Sequence, residues 1–560
     1  MKNIATLFLL VVAMQQSAIS QSLLWAKSMG GVYSDIAYAV ATDAAGSVYT
    51  TGTFRLTVDF DPGDGVYELT ASGNTDIFVS KLDADGNFLW AVRMGGTSSA
   101  NGESIAINID GNCVISGGFL DTVDFDPSDA VFNLTSVNGA DMFVVILDDG
   151  GNLVWAGAMG GQGFQYSDAL AIDTAGNIVI GGYFGNSCDF DPNAGESIIS
   201  TTEGSAFVVK LEADGTFMWV KHIEGGEGSD VKCFDMTLDD ENNILIAGTI
   251  IGTVDFDMSA NTFELTSVGS TDLYACKLDA EGNFVWAAST GNGSADASRA
   301  ITSDSDGNVY VTGIFLHGMD FDPGPEVYVL LGSPSDNDTF IWKLSAGGAL
   351  IWARALKGDG DDISTSVTVD AQGNVYTVGG FDDACDFDPG DEVFEMEPAT
   401  VNFFDVFISV LNADGDFVWA GQIGSTGYDL PHDVRMDAED NLYICGYINL
   451  TVDMDPTAGE YEITSGAWDA FVLKMVGIPD HIASNVQQQR IAVFPNPSKG
   501  WCNLETNVPN KTPYTITDIK GSIIHTGSTT GKITTVDLSM FENGVYFLKV
   551  EEQVVKFVKE

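Results

Sequence analysis

The chain has 560 residues, of which 45% are hydrophobic and 18% are charged. This much apolar sequence excludes a disordered acidic chain and is typical of a folded protein with a core. Its 80 acidic and 23 basic residues give a formal net charge of −57 at pH 7, which disfavours partners such as nucleic acid and anionic lipid. From Ile478 onward there are 8 basic and 8 acidic residues, so the other 15 basic and 72 acidic residues carry the whole excess.

Residues 1–20 have the pattern of a secretory signal. Lys2 supplies the positive start, residues 4–14 form a short apolar run, and Ala18-Ile19-Ser20 is a small-x-small cleavage site. We therefore expect export, with a mature chain that begins at Gln21. The alternative is a retained membrane anchor, but the apolar run is too short to span a bilayer, and we expect no membrane span later in the chain.

A segment centred on tryptophan, FLWAVRMGG around Trp90, recurs along the chain at intervals of 64 to 67 residues. A fixed period with one structural unit per copy indicates a repeat architecture. The seven tryptophans are Trp25, Trp90, Trp155, Trp219, Trp286, Trp352 and Trp419.

Each repeat contains four strand-like runs, which we label a to d. The clearest set is IAYAVATD, SVYTTGTF, DIFVSKLD and NFLWAVRMG, with turns of Asp, Gly and Asn that are hairpin signals. One glycine recurs near the end of strand b, where we expect a neighbouring backbone or bulky side chain to leave no room for a Cβ atom. These glycines are Gly52, Gly117, Gly182, Gly248, Gly313, Gly379 and Gly446.

The strand order predicts a closed ring. The chain begins with a lone strand d that carries Trp25, and its last repeat has strands a, b and c with no strand d after them. If the first strand completes the last sheet, no sheet edge is left exposed. We therefore predict an all-β fold with a seven-bladed β-propeller over residues 21–476. Strand a, rich in Ala and Ser, should be innermost, and the tryptophans should lie on the outer strand between sheets.

The repeat resembles a bacterial β-propeller repeat family whose unit reads roughly W-x4-G-G-x-D-x-A-x-A-I-A-x-D-x-x-G-N-x-Y-V-x-G. The matching segments are WAKSMGGVYSDIAYAVATDAAGSVYTTG, from Trp25 to Gly52, and WARALKGDGDDISTSVTVDAQGNVYTVGG, from Trp352. The resemblance covers about 450 residues. It implies an exported repeat scaffold and no single activity.

The connection between strands b and c carries the motif VDFDPG or a close variant in every repeat, followed by a second short strand. We predict a small extra hairpin on each blade, and seven such hairpins in a ring. Two carboxylates at positions i and i+2 of a strand project from one face about 7 Å apart, so each pair is a candidate calcium site if other oxygens complete the shell. The alternative is that these side chains cap turns. The pairs are Asp59/Asp61, Asp124/Asp126, Asp189/Asp191, Asp255/Asp257, Asp320/Asp322, Asp386/Asp388 and Asp453/Asp455.

Other residues carry weaker signals. The DADGN turn at Asp83 resembles the start of a calcium loop, but the acidic ligand at position twelve is missing, which favours a plain hairpin turn. The five histidines lack the spacing of a zinc site or a catalytic triad. The tryptophans would also suit a quinone-cofactor propeller, but their seven-fold recurrence favours core packing, and we predict no cofactor. The seven cysteines are interpreted as small buried hydrophobes, with a Cys233–Cys276 disulfide as the alternative.

After a polar linker at residues 477–489, the last segment, residues 490–560, has a different pattern. FPNPSKG (Phe494–Gly500), with Pro495, Asn496 and Pro497, precedes ITDIKG, and a DLS-x4-GVYFLKV block follows with Gly544 and Tyr546. These blocks resemble the C-terminal sorting domain of the type IX secretion system of Bacteroidota. The resemblance implies an Ig-like sandwich that is read by the export machinery, with cargo released or fixed to the cell surface. The alternative is an ordinary Ig-like binding module.

Two functional hypotheses follow. The first is an exported, non-enzymatic scaffold that binds an extracellular glycan or protein and is stiffened by calcium. The second is a secreted polysaccharide hydrolase or lyase with its site at the propeller axis. An enzyme site breaks repeat symmetry, and the most deviant inner strand is LPHDVRMD, so His432 and Asp433 are its first candidates.

Overall fold

The computed structural model describes residues 22–457, 459–477, 492–494, 498–505, 511–518, 522–529, 533–541, 543–550 and 553–559. The predicted signal with its Ser20/Gln21 cleavage site lies outside these residues, as do residues 478–489 of the predicted linker and Pro495, Asn496 and Pro497. The chain divides into two compact units, Met1–Ile478 and Pro479–Glu560. In the part of the chain that is described, every regular element is a β-strand.

The first unit is a seven-bladed β-propeller, as predicted, and each blade is an antiparallel sheet in the order a-b-c-d. The strands of blade 1 are Ile36–Thr42, Val48–Phe54, Asp76–Leu82 and Phe88–Gly96; those of blade 2 are Ala100–Ile107, Cys113–Phe119, Asp141–Leu147 and Leu153–Gln162. Blade 3 has Gln165–Ile172, Ile178–Phe184, Ser205–Leu211 and Phe217–Gly225; blade 4 has Asp230–Leu238, Ile244–Ile251, Asp272–Leu278 and Phe284–Thr290. Blade 5 has Ala297–Ser303, Val309–Phe315, Asp338–Leu344 and Leu350–Gly358; blade 6 has Asp362–Val369, Val375–Phe381, Asp405–Leu411 and Phe417–Ile423. Blade 7 has Leu430–Met436, Asn441–Asp453, Glu462–Val476 and, from the start of the chain, Ser22–Met29.

The closing blade confirms the predicted arrangement of three strands plus one. Ser22–Met29 pairs antiparallel with Glu462–Val476, so that Trp25 lies opposite Lys474 and Ser28 opposite Phe471. The innermost strands of consecutive blades contact each other all round the ring, including those of blades 7 and 1. The ring therefore has no open edge between its first and last blades.

The predicted extra hairpin is present on every blade. In blades 1 to 6 its strands are Thr57–Asp59 with Glu68–Thr70, Thr122–Asp124 with Asn133–Thr135, Ser187–Asp189 with Ile198–Ser200, Thr253–Asp255 with Glu264–Thr266, Gly318–Asp320 with Val329–Leu331, and Cys385–Asp386 with Glu395–Met396. In blade 7 the hairpin is the extended end of strands b and c. In six blades the hairpin pairs with strand d of the preceding blade or with the residue that follows it, for example through Val123 opposite Gly96. In blade 5 the hydroxyl of Thr290, on the preceding strand d, donates to the carbonyl oxygen of Asp320. Each hairpin therefore ties two neighbouring blades together.

The central aromatic residue of the D-F-D motif anchors each hairpin in the core. Phe125 is fully buried and meets Phe119 edge-on at 5.4 Å between ring centroids. It also packs against Phe143 at 4.8 Å, and the same arrangement recurs in other blades, as with Phe190. The core lies between neighbouring sheets, because each apolar cluster draws its residues from two adjacent blades.

A β-bulge interrupts the pairing of strands a and b at the same place in all seven blades. In blade 2 the register shifts between Gly102 and Ser104, which leaves Glu103 unpaired. The recurring strand-b glycine faces this irregularity: a Cβ atom on Gly117 would lie 2.0 Å from the carbonyl oxygen of Asn101. At all seven glycines the corresponding distance is 1.8 to 2.1 Å. This confirms that the position has no room for a side chain.

The second unit contains two antiparallel sheets. The three-stranded sheet consists of Ala492–Phe494, Trp501–Glu505 and Ile533–Asp537. The four-stranded sheet consists of Ile523–Ser528, Pro513–Asp518, Gly544–Val550 and Gln553–Lys559. Cys502 from one sheet and Tyr546 from the other belong to a single buried apolar cluster, as expected for a small β-sandwich. Gly544 begins the strand that carries Tyr546, and Gly500 precedes Trp501–Glu505.

The strand-b glycines give a test with a matched control in the next residue. Gly117→Ala should lower the free energy of unfolding by about 2–4 kcal/mol, because the new methyl group collides with a carbonyl oxygen that the closed ring holds in place. In Gly118→Ala the nearest atom is 3.9 Å away, so the change should stay within about 0.5 kcal/mol. Urea unfolding of both variants measures the difference, and equal stabilities would contradict the assigned bulge.

Candidate functional site at the propeller axis

The seven bulged residues lie on the innermost strands, and all seven line a cavity of about 100 Å³ at the axis. Apart from Asp235 and Asp433, their neighbours along the strand are small or apolar, but the bulged residue itself differs in every blade. The ring consists of Tyr38, Glu103, Asp168, Phe234, Arg299, Thr365 and His432. A seven-fold scaffold therefore presents a site that has no seven-fold symmetry.

Two carboxylates from neighbouring blades meet in this ring. Burial raises the pKa of Glu103 to about 7, and a hydrogen bond from Asn101 opposes the shift. Burial also raises the pKa of Asp168 well above its usual range, and the nearby charges of Glu103 and Asp235 add to the effect. The Oδ2 atom of Asp168 is buried and makes no hydrogen bond within the part of the chain described. Among the described residues no basic side chain lies within ion-pairing distance of this pair, although the more distant charge of Lys232 partly opposes the shift at Asp168.

Two arginines that line the cavity, Arg299 of the ring and Arg435, have different surroundings. The guanidinium of Arg435 donates to Asp433 at 3.1 Å, and the charge of Asp433 raises the arginine's pKa. Arg299 is exposed, stacks over the ring of Phe234 at 5.3 Å from its centroid, and forms none of the ion pairs found among the described residues. Arg299 is therefore available to a ligand in the cavity, and Arg435 is engaged by the protein.

The structure separates the two residues that the sequence proposed for an axial enzyme site. His432 points into the cavity, and its Nε2 atom has no hydrogen-bond partner in the described ranges. Burial lowers its pKa to about 4, although the charge of Asp433 opposes this shift. Asp433 accepts hydrogen bonds from the Val40 amide at 3.2 Å and the Ser366 hydroxyl at 3.1 Å. These bonds join blade 7 to blades 1 and 6, so the carboxylate of Asp433 stabilises the packing of neighbouring blades.

Two rows of aromatic rings run from the axis to one end of the propeller. This end, the insert face, carries the b–c and d–a connections, because the sheets are antiparallel. In the first row His432 lies 5.0 Å from Tyr38 and 5.8 Å from Tyr447, which stacks on Trp468 at 5.2 Å. Trp468 is 37% exposed. The row therefore joins the axial cavity to solvent.

The second row lies on blades 3 and 4. Tyr166 stacks on Tyr183 at 4.9 Å, and Tyr183 meets Phe234 of the ring edge-on at 6.3 Å. Tyr166 is 43% exposed, and Phe164 beside it is 41% exposed. The ammonium of Lys232 lies 5.2 Å from the centroid of Tyr183. Exposed aromatic groups beside a polar cavity are typical of a binding surface.

The structure corrects the expected placement of the paired aspartates in the inserted hairpins. The prediction put both members of a pair on one strand, but the short strand ends at the first aspartate and the second lies beyond it. In six of the seven copies a proline follows the second aspartate, and proline lacks the amide hydrogen that a strand ladder needs. The expected arrangement of two carboxylates on one strand face was therefore wrong at all seven second aspartates: Asp61, Asp126, Asp191, Asp257, Asp322, Asp388 and Asp455.

The carboxylates of these pairs bind backbone amides. Asp124 Oδ1 accepts from the amides of Asp126 at 3.1 Å and Phe132 at 2.8 Å, and a bond from the second aspartate's amide to the first recurs in all seven copies. Each second aspartate also accepts from the amide two residues on. These bonds are 2.9 Å for Asp61 with Gly63, 2.9 Å for Asp126 with Ser128, 2.9 Å for Asp191 with Asn193, 3.0 Å for Asp257 with Ser259, 2.7 Å for Asp322 with Gly324, 2.8 Å for Asp388 with Gly390 and 2.9 Å for Asp455 with Thr457. The contacts are those of turn caps, the alternative that the sequence left open.

Across the described ranges, no three His, Cys, Asp or Glu side chains form an arrangement that could hold a metal ion. The DADGN segment is a hairpin turn in which the Asp83 carboxylate accepts from the amides of Asp85 and Asn87. All seven cysteines are free and buried, so the alternative of a Cys233–Cys276 disulfide was wrong. Cys233 and Cys276 lie on strands a and c of the same sheet and belong to one buried apolar cluster.

The tryptophans lie on strand d and bind the next blade. The indole of Trp90 donates to the carbonyl oxygen of Asp149 at 2.9 Å, in the c–d turn of blade 2. Gly151 of that turn has a φ of 78°, and a Cβ atom there would lie 3.2 Å from the indole. Trp25 makes the same bond to Ala84 at 3.1 Å across the closing blade. The contacts of the indole rings are therefore between blades.

A set of buried aspartates at the start of strand a ties the loops of the insert face. Asp296 accepts from the amides of Asn292 at 3.1 Å and Leu316 at 3.0 Å, and Asp35 and Asp429 make equivalent pairs of bonds. Asp362 occupies the same place in blade 6. Both of its carboxylate oxygens are buried, and neither has a hydrogen-bond partner among the described residues. Burial, opposed by a weak interaction with Cys385, raises the pKa of Asp362 to about 9.

Sequence reasoning singled out His432 and Asp433 but not the other ring residues. The aligned inner strands read IAYAV, NGESI, YSDAL, KCFDM, ASRAI, ISTSV and LPHDV. The third column varies in charge and size between neighbours that are mostly small or apolar. That variable column is the signal that could have located the ring. A regular strand, however, would place these side chains on a face of the sheet, and only the bulge turns them toward the axis.

Comparison with known proteins identifies the second unit. Residues 492–560 match the model of the secretion system C-terminal sorting domain family, which confirms the predicted sorting domain. The protein is therefore exported through the type IX secretion system to the cell surface or the medium. Among the described residues, no helix has the length and apolar character needed to cross a bilayer.

The whole chain has distant relatives. It is 23% identical over 523 residues to an uncharacterised WD repeat-containing protein, L264, of Acanthamoeba polyphaga mimivirus, a match that covers 80% of this chain and 38% of that protein. Sqt1 from Chaetomium thermophilum has 11% identity and a TM-score of 0.40, with 82% of this chain and all of that chain covered. PorZ, a surface component of the type IX secretion system of Porphyromonas gingivalis, has 10% identity and a TM-score of 0.17, with 96% of this chain and all of that chain covered. The chain thus spans well under half the length of the viral relative.

Asp362 predicts a pH dependence of stability. Its pKa rises from 3.8 to about 9 on folding, so the folded state keeps a proton that the unfolded chain loses between these values. Unfolding therefore releases a proton in this interval, and the free energy of unfolding falls as the pH rises through it. Thermal melts across the interval should show a smaller fall for Asp362→Asn than for the native chain.

Asp296→Asn is the matched control, because its carboxylate accepts two amide bonds. This variant should be less stable by about 1–2 kcal/mol, because two amides lose their carboxylate acceptor. It should keep most of the fall with pH, since burial also raises the pKa of Asp296 but the two amide bonds oppose that shift. If Asp362→Asn showed the pH dependence of the native chain, the buried protonated carboxyl would be contradicted.

Proposed function

We propose that this protein is an exported, non-enzymatic binding propeller that holds an extracellular glycan on its insert face. The observation that supports this proposal is the pair of exposed aromatic rows, Tyr166 with Tyr183 and Trp468 with Tyr447, that lead to the axial cavity. Their outer rings lie on one face of a secreted protein. An exposed aromatic surface that binds no partner would promote aggregation, so its presence favours a binding role.

Flat aromatic faces suit sugar rings, because the axial C–H groups of a pyranose form an apolar surface that packs on an aromatic ring. Polar groups at the axis then supply direction: Arg299 and Glu103 can bind hydroxyl or charged substituents of a sugar on the neighbouring rings. The cavity of about 100 Å³ holds a substituent rather than a whole sugar. A glycan chain that lies across the insert face, with one sugar substituent directed into the axial cavity, fits this shape.

The acidic surface supports the same choice of ligand. A net charge of −57 opposes binding of nucleic acid and anionic lipid and leaves neutral or cationic glycans as suitable polymers. A protein partner on the same face remains the second possibility for a scaffold of this kind. The regular stacking pairs favour the glycan, because a protein interface would be expected to bury a broader apolar patch.

One observation favours a hydrolase or lyase as the alternative function. Glu103 and Asp168 are neighbouring carboxyl groups with raised pKa values, and such a pair can supply a general acid and a base. His432 retains a free nitrogen beside them, but Asp433 is engaged by backbone and hydroxyl donors. The enzyme would therefore depend on the carboxyl pair.

The aromatic rows are tested by binding of the mature, full-length protein to a panel of neutral, cationic and anionic polysaccharides. Tyr166→Ala and Trp468→Ala should each weaken binding of a retained glycan by about 1–2 kcal/mol, roughly 5- to 30-fold, because each removes a stacking face. Isothermal titration calorimetry measures the loss.

Tyr67→Ala is the control, since Tyr67 is an equally exposed aromatic residue that packs on Phe88 of the outer strand at 5.0 Å and belongs to neither aromatic row. Its affinity should equal that of the native protein. Retained binding in the two insert-face variants would contradict the proposed surface. Release of sugars that disappears in Glu103→Gln would replace the binding function with the enzymatic alternative.

Calcium at the hairpins is a further part of the proposal. The Oδ1 atoms of each aspartate pair accept amide protons, so a calcium ion would use the other carboxylate oxygens with backbone carbonyls or water. Calcium at about 10 to 100 times its Kd should stabilise the fold by about 1–3 kcal/mol for each filled site. Thermal melts with calcium, with magnesium and with a chelator compare these states, and identical melting temperatures would contradict calcium binding.

A further inference from the structure

A second cavity opens on the insert face between blades 2 and 3. It has a volume of about 180 Å³, and Tyr166 forms part of its wall. Glu103 and Asp168 line both this cleft and the axial cavity. The carboxyl pair is therefore reached from the face through a cleft as well as along the axis.

Three buried polar atoms of the cleft wall make no hydrogen bond to any described residue: Gln165 Oε1, Ser167 Oγ and Asp168 Oδ2. The Gln165 side chain is completely buried and Ser167 is 2% exposed. The amide nitrogen of Gln165 is held by the carbonyl oxygen of Gln162 at 3.2 Å, which fixes the side chain with its oxygen free. A buried polar atom without a partner costs about 1–3 kcal/mol, so three in one cleft indicate that a ligand supplies the bonds.

The cleft departs from the repeat at the positions that make it polar. Where blades 1, 5, 6 and 7 place an aspartate, such as Asp35 or Asp429, blade 2 has Ala100, blade 3 has Gln165 and blade 4 has Val231. Three positions further along these two strands are the bulged residues Glu103 and Asp168, which form the acidic pair. In blade 3 this places a buried side-chain amide, whose oxygen has no partner among the described residues, where Asp35 and Asp429 have carboxylates bound by backbone amides.

We propose that this cleft binds the protonated amino group of an amino sugar, with the sugar ring against Tyr166 and the ammonium group between Gln165, Asp168 and Glu103. The inference rests on the proposed glycan-binding function and names the class of glycan. The free atoms call for a donor: the amide oxygen of Gln165 can only accept, the carboxylate of Asp168 accepts when a bound cation keeps it ionised, and the hydroxyl of Ser167 can also accept. An ammonium group has three donors and no acceptor.

Charge favours an ammonium group over a neutral hydroxyl. The buried carboxyl pair has no basic side chain within ion-pairing distance among the described residues, since Lys232 is paired with Asp230 at 3.8 Å and Arg435 with Asp433 at 3.1 Å. A cationic ligand supplies that partner. The exposed aromatic wall adds a cation–π contribution, and it favours a ring-bearing amine over a bare metal ion.

The test is calorimetry of the full mature chain at neutral pH with a β-1,4-linked glucosamine tetramer and a glucose tetramer of the same linkage. The native protein should bind the glucosamine tetramer about tenfold or more tightly than the glucose tetramer, as expected for charge-assisted hydrogen bonds. The double variant Glu103→Gln/Asp168→Asn should lose this preference. Asp296→Asn, which removes a buried carboxylate of blade 5 that lines neither cavity, should retain it.

Equal affinities for the two tetramers, or no binding of the glucosamine tetramer, would overturn the inference. A preference for the glucosamine tetramer that survives in the double variant would also overturn it. A preference that disappears when calcium is added would overturn it as well, because that result would assign the cleft to a metal ion. A preference that survives Tyr166→Ala would overturn the placement of the sugar. Binding of other glycans through Tyr166 and Trp468 would stay intact in these cases, so failure of the inference is distinct from failure of the proposed function. Thermal melts of each variant verify that it is folded.

Discussion

Backbone hydrogen bonds between Ser22–Met29 and Glu462–Val476 hold the propeller closed, and the rest of the structure depends on them. This pairing joins residues separated by more than 400 positions, as Ser28 opposite Phe471 illustrates. The closed ring fixes the distance of every inner strand from the axis. The inserted hairpins and the tryptophans then bind each blade to the next, so that the closing strand is reinforced by contacts on both sides.

The axial site arises from a repeated distortion of the scaffold. At each bulge one residue leaves the pairing pattern, and the opposite glycine makes room for the displaced backbone. The distortion is the same in every blade, but the residue that it presents is free to vary. The repeat therefore conserves the position of a ring of side chains without conserving their chemistry, which allows a symmetric fold to carry a ligand site with distinct acidic, basic and aromatic parts.

The sequence predicted the fold in detail because each signal was repeated seven times. The spacing of the tryptophans gave the number of blades, and the lone strand carrying Trp25 gave the closure. The seven strand-b glycines, such as Gly117, were correctly expected at positions with no room for a side chain. The bulge that causes this crowding was not foreseen. Only His432 and Asp433 were found in advance at the axis. Glu103 and Asp168 were hidden because acidic residues are abundant in this chain, and their burial depends on contacts between blades that no local pattern encodes.

Amide hydrogen exchange of Ser22–Met29 tests the closed ring most directly, because only pairing with the last blade can protect this strand. Phe88–Gly96, the outer strand of blade 1, is the internal reference, since it occupies the same place in its sheet. The closed ring predicts protection of the two strands to a similar degree. Exchange in Ser22–Met29 as fast as in an unstructured peptide, with Phe88–Gly96 protected, would contradict the closure and with it the geometry of the axial site.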